Sequence, residues 1–186
     1  MQHYKQKDER MIPESPRTAG RPRTSSRQLI EDAAAELFVE SGYAATTIEA
    51  ISQRAGTSRA TFFNYFEAKS DLLWLEVDAA IKRLRASPGT DLRAALVREA
   101  EAMPVPLALT QSELIGSEAE VAASGLVRVA ALASACNVVL GDRLAAALVA
   151  SAVAEAWLGW ARAGVGRAAL ADRIGENLDR LERGLG

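Results

Sequence analysis

Gly56-Thr57-Ser58-Arg59-Ala60-Thr61-Phe62-Phe63-Asn64-Tyr65-Phe66-Glu67-Ala68-Lys69 is the stretch on which the fold turns. Ser58 is a good helix N-cap, and the residues after it predict a helix of two turns, Arg59–Phe66. Phe62 and Phe66 are four apart and share one face. If that face is the core, Arg59, Ala60, Phe63 and Asn64 point outward together. Four aromatics on two turns cannot all enter one core. An outward guanidinium, amide, small residue and large aromatic suit the major groove of DNA. Arg pairs bidentately with guanine and Asn with adenine, while Phe63 and the methyl of Thr61 fit the thymine methyl. Ala60 allows close approach. The plainer alternative is that Phe63 and Tyr65 are core aromatics and Arg59 is ordinary surface.

A helix this short needs neighbours to hold it. Upstream, Ser25 and Gln28 form a capping-box pattern, and Ile30, Ala33, Ala34, Leu37 and Phe38 recur at the spacing of one buried helical face. Gly42 stops that helix. Thr46 and Glu49 form a second capping-box pattern. The next helix buries Ile48, Ile51, Ser52 and Ala55 and ends at Gly56. Only Thr57 separates Gly56 from Ser58, which makes the pair a helix-turn-helix. Thr47, Tyr65 and Lys69 surround the outward patch as phosphate-type groups, and helix N-termini favour phosphate as well. A fourth helix is predicted at Lys69–Arg85, broken by Ser87-Pro88-Gly89.

Downstream, helices are predicted at Asp91–Met103, Leu107–Leu114, Glu118–Leu140 (interrupted at Ser124-Gly125), Asp142–Ala163 and Gly166–Gly184. No segment alternates with period two, so the predicted class is all-α. Gly164-Val165-Gly166-Arg167-Ala168-Ala169 satisfies G-x-G-x-x-A, but no strand precedes it, so it reads as a helix stop and loop. The chain divides into a polar basic tail (1–24), a helix-turn-helix domain (25–69) and a helical domain (70–186).

Composition narrows the function. The 186 residues are 49% apolar and 25% charged, an ordinary globular balance. Cys136 is the only cysteine and His3 the only histidine, which removes disulfide frameworks, Cys-based zinc sites and His-dependent catalytic groups. No catalytic residues, metal or cofactor are expected. The tail has no apolar run, so no secretory signal is expected. Leu144–Ala161 is the nearest thing to a membrane span. It is Ala-rich, carries Glu155, and reads as a buried helix of a cytoplasmic protein. Net charge is −2, but residues 1–69 hold ten Lys and Arg against nine Asp and Glu. Arg17, Arg21, Arg23 and Arg27 lie in eleven residues without an acid. Arg21 and Arg23 flank Pro22 and suit either a minor-groove arm or diffuse phosphate attraction.

Residues 21–75 resemble the DNA-binding domain of the TetR family of bacterial transcriptional repressors. The resemblance is carried by Ile30–Phe38, Gly42-Tyr43 and TTIEAISQRAGTSRATFFNYFEAKSDLL (Thr46–Leu73). It implies an all-helical homodimer on a palindromic double-stranded operator, released by a small ligand in the second domain. The DNA contacts it implies fall on Thr47, Thr57, Ser58, Arg59, Ala60, Thr61, Phe63, Asn64, Tyr65 and Lys69. Two positions depart from the family pattern. Ala68 stands where a Ser often caps the fourth helix, so that cap is expected to be lost or to shift to Ser70. Glu49 stands where many members carry a basic residue, which weakens a phosphate role there.

The second domain carries fewer signals. The resemblance places the dimer interface on the last two helices, where Ala145, Ala146, Ala152 and Ala156 permit close approach, either between copies or within the chain. Trp74, Met103, Leu107, Trp157 and Trp160 are candidates for the apolar wall of a ligand pocket. Arg128 and Asn137, with Glu155, are polar residues in apolar helices that could orient a ligand. TFFNYF with Trp74 is similar to a subset of actinobacterial regulators that resemble mycofactocin-associated repressors, which implies a fatty-acyl or acyl-CoA effector. The competing classes are an architectural DNA binder without effector and an enzyme using the helical cavity.

Overall fold

A computed structural model describes residues 25–87, 89, 91–106, 110–163 and 168–184. The tail at 1–24 with Arg21 and Arg23, Leu107 and residues 164–167 lie outside the described residues. Among the described residues, all regular structure is helical. The elements are α1 (Ser26–Ser41), α2 (Ile48–Arg54), α3 (Arg59–Phe63), a 3-10 turn (Lys69–Leu73), α4 (Leu75–Ala86), α5 (Leu92–Ala102), α6 (Ser112–Ile115), α7 (Glu118–Leu140), α8 (Arg143–Arg162) and α9 (Leu170–Glu182).

Side-chain caps set several helix starts. Ser25 accepts from the Gln28 N–H at 3.2 Å, Ser58 from Thr61 at 3.0 Å and Asp91 from Ala94 at 3.2 Å. Asp142 accepts from Leu144 and Ala145 at 2.8 and 3.1 Å. Each such cap contributes about 1 kcal/mol. The Gln28 amide does not complete the first capping box, because it donates to Asp32 at 2.8 Å. The second box does not form, and the cap is displaced by one residue. Thr47 caps α2, accepting from Ala50 at 3.1 Å. Thr46 is buried instead, and its hydroxyl lies 2.8 Å from the Gly42 carbonyl and 3.2 Å from that of Leu37. It ties the loop before α2 to carbonyls at the end of α1.

Three further expectations change. α3 ends at Phe63, three residues early, yet Phe66 still returns to the core. The fourth helix does not start at Lys69. Asp71 accepts the N–H groups of Glu67 and Ala68 at 2.8 and 3.0 Å, replacing the expected serine cap and tightening a 3-10 turn before α4. α7 runs unbroken through Ser124-Gly125. The Trp74 indole N–H donates to Ser124 Oγ at 2.8 Å. The same ring packs against Gly125, where a Cβ would lie 3.4 Å from it, at the near edge of ordinary contact. Those small residues seat a tryptophan and do not stop the helix.

One contiguous apolar cluster runs from Ile30 to Leu178. α1 packs on α2 and α3, α4 on α7, α7 on α8, and α9 on both α8 and α5. α9 buries Leu170, Ala171, Ile174 and Leu178 and exposes charged residues such as Asp172, Glu176 and Arg180. α8 differs from the expected buried helix: only 28% of its most apolar stretch is buried. Ala146 and Ala156 face their own chain, but Leu144 is 70% exposed, and Leu148 and Leu158 are exposed too. On α7, Leu126 is 75% and Val127 65% exposed. By length and composition α7 and α8 could each cross a membrane.

Candidate nucleic-acid interface

The core face of α3 is closed. Phe62 is fully buried, Phe66 nearly so, and the Arg27 guanidinium lies 5.0 Å from the Phe66 ring centroid. The opposite face is open. Arg59, Ala60 and Asn64 are exposed, Thr61 is half-buried, and Phe63 and Tyr65 remain 48% and 43% exposed. Phe63 meets Phe62 edge-on at 5.4 Å, which fixes its ring without burying it. The alternative of Phe63 and Tyr65 as core aromatics is therefore incorrect for the folded chain.

The remaining sequence-predicted contacts have local duties. Thr47 and Ser58 are caps, and Ser58 Oγ lies 2.9 Å from the Thr61 hydroxyl. The Thr57 N–H donates to the Ser52 carbonyl at 2.8 Å, holding the turn. Gly56 makes that turn at φ 65°, in the left-handed region that other residues avoid. Lys69 is turned inward. Its Nζ donates to the carbonyls of Tyr43 and Thr46 at 2.6 and 2.7 Å and lies 4.0 Å from the Tyr43 ring centroid. Burial lowers its pKa. Burial is likewise the first cause that pushes the Tyr43 phenol up to about 12, followed by the charges of Glu120 and Asp71.

The charge balance of this unit was not legible from the net figures. Residues 25–69 contain Arg27, Arg54, Arg59 and Lys69 against Glu31, Asp32, Glu36, Glu40, Glu49 and Glu67. Every one of those cations has a partner. Arg27 pairs with Glu31 at 2.8 Å, Arg54 with Glu36 and Glu40 at 3.0 and 2.8 Å, and Arg59 with Glu49 at 2.6 Å. Only the last pair stands on the outward α3 surface. Residues 1–24 hold the surplus, six Lys and Arg against three acids.

A second junction ties this unit to the longer helices. Arg128, expected at a ligand pocket, lies elsewhere. Its Nη2 donates to Asp71 at 2.8 Å and Asp78 at 3.0 Å, its Nε to Asp78 at 3.2 Å, and its guanidinium sits 5.6 Å from the Trp74 ring. Burial opposes its charge, but the bonds to Asp78 and Asp71 outweigh that and raise its pKa. Asp71 and Asp78, seven apart ahead of a lone arginine in an apolar helix, were the available signal. The Ile115 carbonyl also accepts the Tyr43 N–H at 2.7 Å, joining α6 to the loop before α2.

The other pocket candidates divide. Met103 and Trp160 line an open cavity of about 490 Å³, together with Ala100, Val105 and Leu170. Met103 and Trp157 also line a small void of about 20 Å³ among Ile81, Leu84, Leu132 and Val153. The indole nitrogen of Trp157 and the Oδ1 of Asn137 are enclosed without a hydrogen-bond partner among the described residues. Trp74 and Asn137 line neither cavity.

Residues 30–74 match the family described as bacterial regulatory proteins, tetR family. No curated protein matches the chain. Among solved structures it is similar to Thermus thermophilus FadR, a TetR-family transcriptional repressor in complex with lauroyl-CoA. Identity is 26% over 86% of this chain and 95% of that one, with a TM-score of 0.50. It is also similar to NalD of Pseudomonas aeruginosa, the secondary repressor of the MexAB-OprM multidrug efflux pump (17% identity, 86% and 94% coverage, TM-score 0.48). A TetR-like transcriptional regulator from Rhodococcus sp. RHA1 matches at 22% identity, 88% and 98% coverage and TM-score 0.45. The narrower likeness to mycofactocin-associated repressors is carried by none of these. Residues 30–74 thus carry the N-terminal domain of the bacterial tetR-family regulatory proteins, set in a chain whose described residues fold entirely as helices.

Proposed function

We propose that the chain is a cytoplasmic homodimeric repressor that binds a palindromic operator and is released by a fatty-acyl or acyl-CoA effector, acting by binding alone. The observation that carries the reading is the open α3 face, where Arg59, Ala60, Phe63 and Asn64 stand outward on a buried Phe62–Phe66 support. Thr61 and Tyr65 border it. Thr47, Thr57, Ser58 and Lys69 fix the register of that face, and Arg21 and Arg23 supply a basic arm. Two copies place their α3 helices in successive major grooves, with half-site centres roughly 34–36 Å apart or a multiple of that.

The dimer face we assign differs by one helix from the one expected. The exposed charged side of α9 is a poor seam. The exposed apolar side chains of α7 and α8 (Leu126, Val127, Val138, Leu144, Leu148 and Leu158) are a good one. A second copy covers these helices better than a bilayer would, because Arg128 at mid-α7 is committed to Asp71 and Asp78 on the soluble side of the fold.

The 490 Å³ cavity is within the range of small-ligand sites, about 300–1,000 Å³. It shares Ala100 and Met103 with the inner void, so an apolar chain entering past Met103 would extend between α4, α5, α7 and α8. The unpartnered Trp157 N–H suits a carbonyl there. Spreading α4 from α7 loads the Arg128 clamp and the turn that carries Lys69, which gives release a mechanical route. The lauroyl-CoA held by FadR supports the acyl class. The test is fluorescence anisotropy of a bound operator duplex titrated with lauroyl-CoA and with free CoA. Release by lauroyl-CoA alone is expected; equal or absent release by both contradicts an acyl effector.

A further inference from the structure

We infer that Glu49 positions Arg59 for base reading and that this chain thereby gives up phosphate attraction for selectivity, an inference that rests on the proposed DNA-reading face. Glu49 lies in the first turn of α2 and Arg59 in the first turn of α3. Their ion pair, Oε1 to Nη1 at 2.6 Å, joins the two helices across the outward surface. Both side chains are more than half exposed, so neither is there to fill a core. Of the partnered cations in residues 25–69, this is the pair that stands where DNA would approach.

The chemistry is specific. A guanidinium carries five donors in a fixed fork. Glu49 takes the Nη1 side, which leaves donors of the fork for guanine O6 and N7. On the free protein the pair is solvated and weak. In the groove water is displaced, and the same pair strengthens as the local dielectric falls. A carboxylate beside Arg59 narrows its rotamers to those that keep the pair, so a half-site without guanine at that position meets a guanidinium that cannot swing to a phosphate. The cost is repulsion between Glu49 and the DNA backbone.

This predicts a trade that a structural surface pair would not show. The test is binding-site selection and competition titration with wild type, Glu49→Gln, Arg59→Ala and the double variant, with circular dichroism as the folding control. Glu49→Gln is expected to bind random duplex several-fold more tightly and to lose about tenfold in preference at one base pair per half-site. That base pair must be the one at which Arg59→Ala loses its preference, and the double variant must be no less selective there than Arg59→Ala. Glu49→Asp, with its shorter reach, should restore part of the preference. An unchanged preference in Glu49→Gln overturns the inference while leaving the DNA-reading face intact. So does a loss at a different base pair, which would make Glu49 itself the reader of a cytosine amine. A wild type that selects no motif overturns the inference together with the reading beneath it.

Discussion

The helix-turn-helix unit and the α7–α8 pair are built on opposite principles. The first is closed inside and ionic outside, with Phe62 and Ile51 fully buried and Arg27, Arg54 and Arg59 in surface ion pairs. The second leaves leucines and valines open on its outer face while Ala135, Ala146, Ala150 and Ala156 pack inward. A surface whose charges are already paired can meet a polar partner through the donors its ion pairs leave over. A surface of bare aliphatic side chains is unfinished until something apolar covers it. The contrast teaches that the two regions suit different companions: a polar partner for one, an apolar cover for the other, which the proposed dimer would supply.

The strongest way to break that contrast is to charge the apolar face. Leu126→Glu with Leu148→Glu should convert a dimer to a monomer by light scattering and cut operator affinity by about 10²–10⁴-fold, because each half-site then binds without its partner. A dimer surviving both changes would place the seam elsewhere. The reverse attack is on the closed core of the first unit. Phe62→Ala should cost about 3–5 kcal/mol in denaturant unfolding, since it empties a fully buried aromatic position under the reading face.

Electrostatics offer a finer probe. Residues 25–69 carry two more acids than bases, so phosphate attraction must come largely from the tail. Removing residues 1–24 should flatten the slope of log affinity against log salt by about 1–3, one unit per lost arginine contact, with the selected motif unchanged. The smallest expected effect concerns the junction between the regions. Burial alone would raise the pKa of Asp71, but hydrogen bonds from Arg128 and from the N–H groups of Ala68 and Glu67 hold it below its ordinary 3.8. The unfolded chain then binds that proton more tightly than the folded one. The carboxylate's contribution is complete above about pH 4 and disappears as pH falls through the lower folded value. Asp71→Asn should lose about 1–2 kcal/mol at pH 7 and show a shallower loss of stability below pH 4 than wild type.

The same contrast explains what could be read from residues alone. In the helix-turn-helix unit, the caps at Ser25 and Ser58, the stop at Gly42 and the split of Phe62 and Phe66 from Phe63 each follow from one side chain and its near neighbours. Thr46 and Thr47 are where local logic failed. Both are competent caps, and the choice was made by the end of α1, whose carbonyls claimed Thr46. The inward turn of Lys69 was hidden for a related reason: its carbonyl acceptors at Tyr43 and Thr46 are 26 and 23 residues away. In the longer helices the errors are all tertiary. Ser124-Gly125 looked like a break because nothing nearby announces Trp74, fifty residues earlier, as the ring that needs that space. Arg128 looked like a pocket residue because its two acids lie on the 3-10 turn and α4, fifty and more residues earlier. The uncovered side of α8 was invisible because Ala, Leu and Val read alike whether they face a core or a second copy.

The central claim is that the open α3 face reads sequence as part of a dimer. It is tested most directly by selecting bound duplexes from a random library with purified full-length protein at two salt concentrations. A two-fold symmetric motif that persists at the higher salt is the predicted result. Binding without a motif, lost at the higher salt, would reduce the face to phosphate contact and contradict the account.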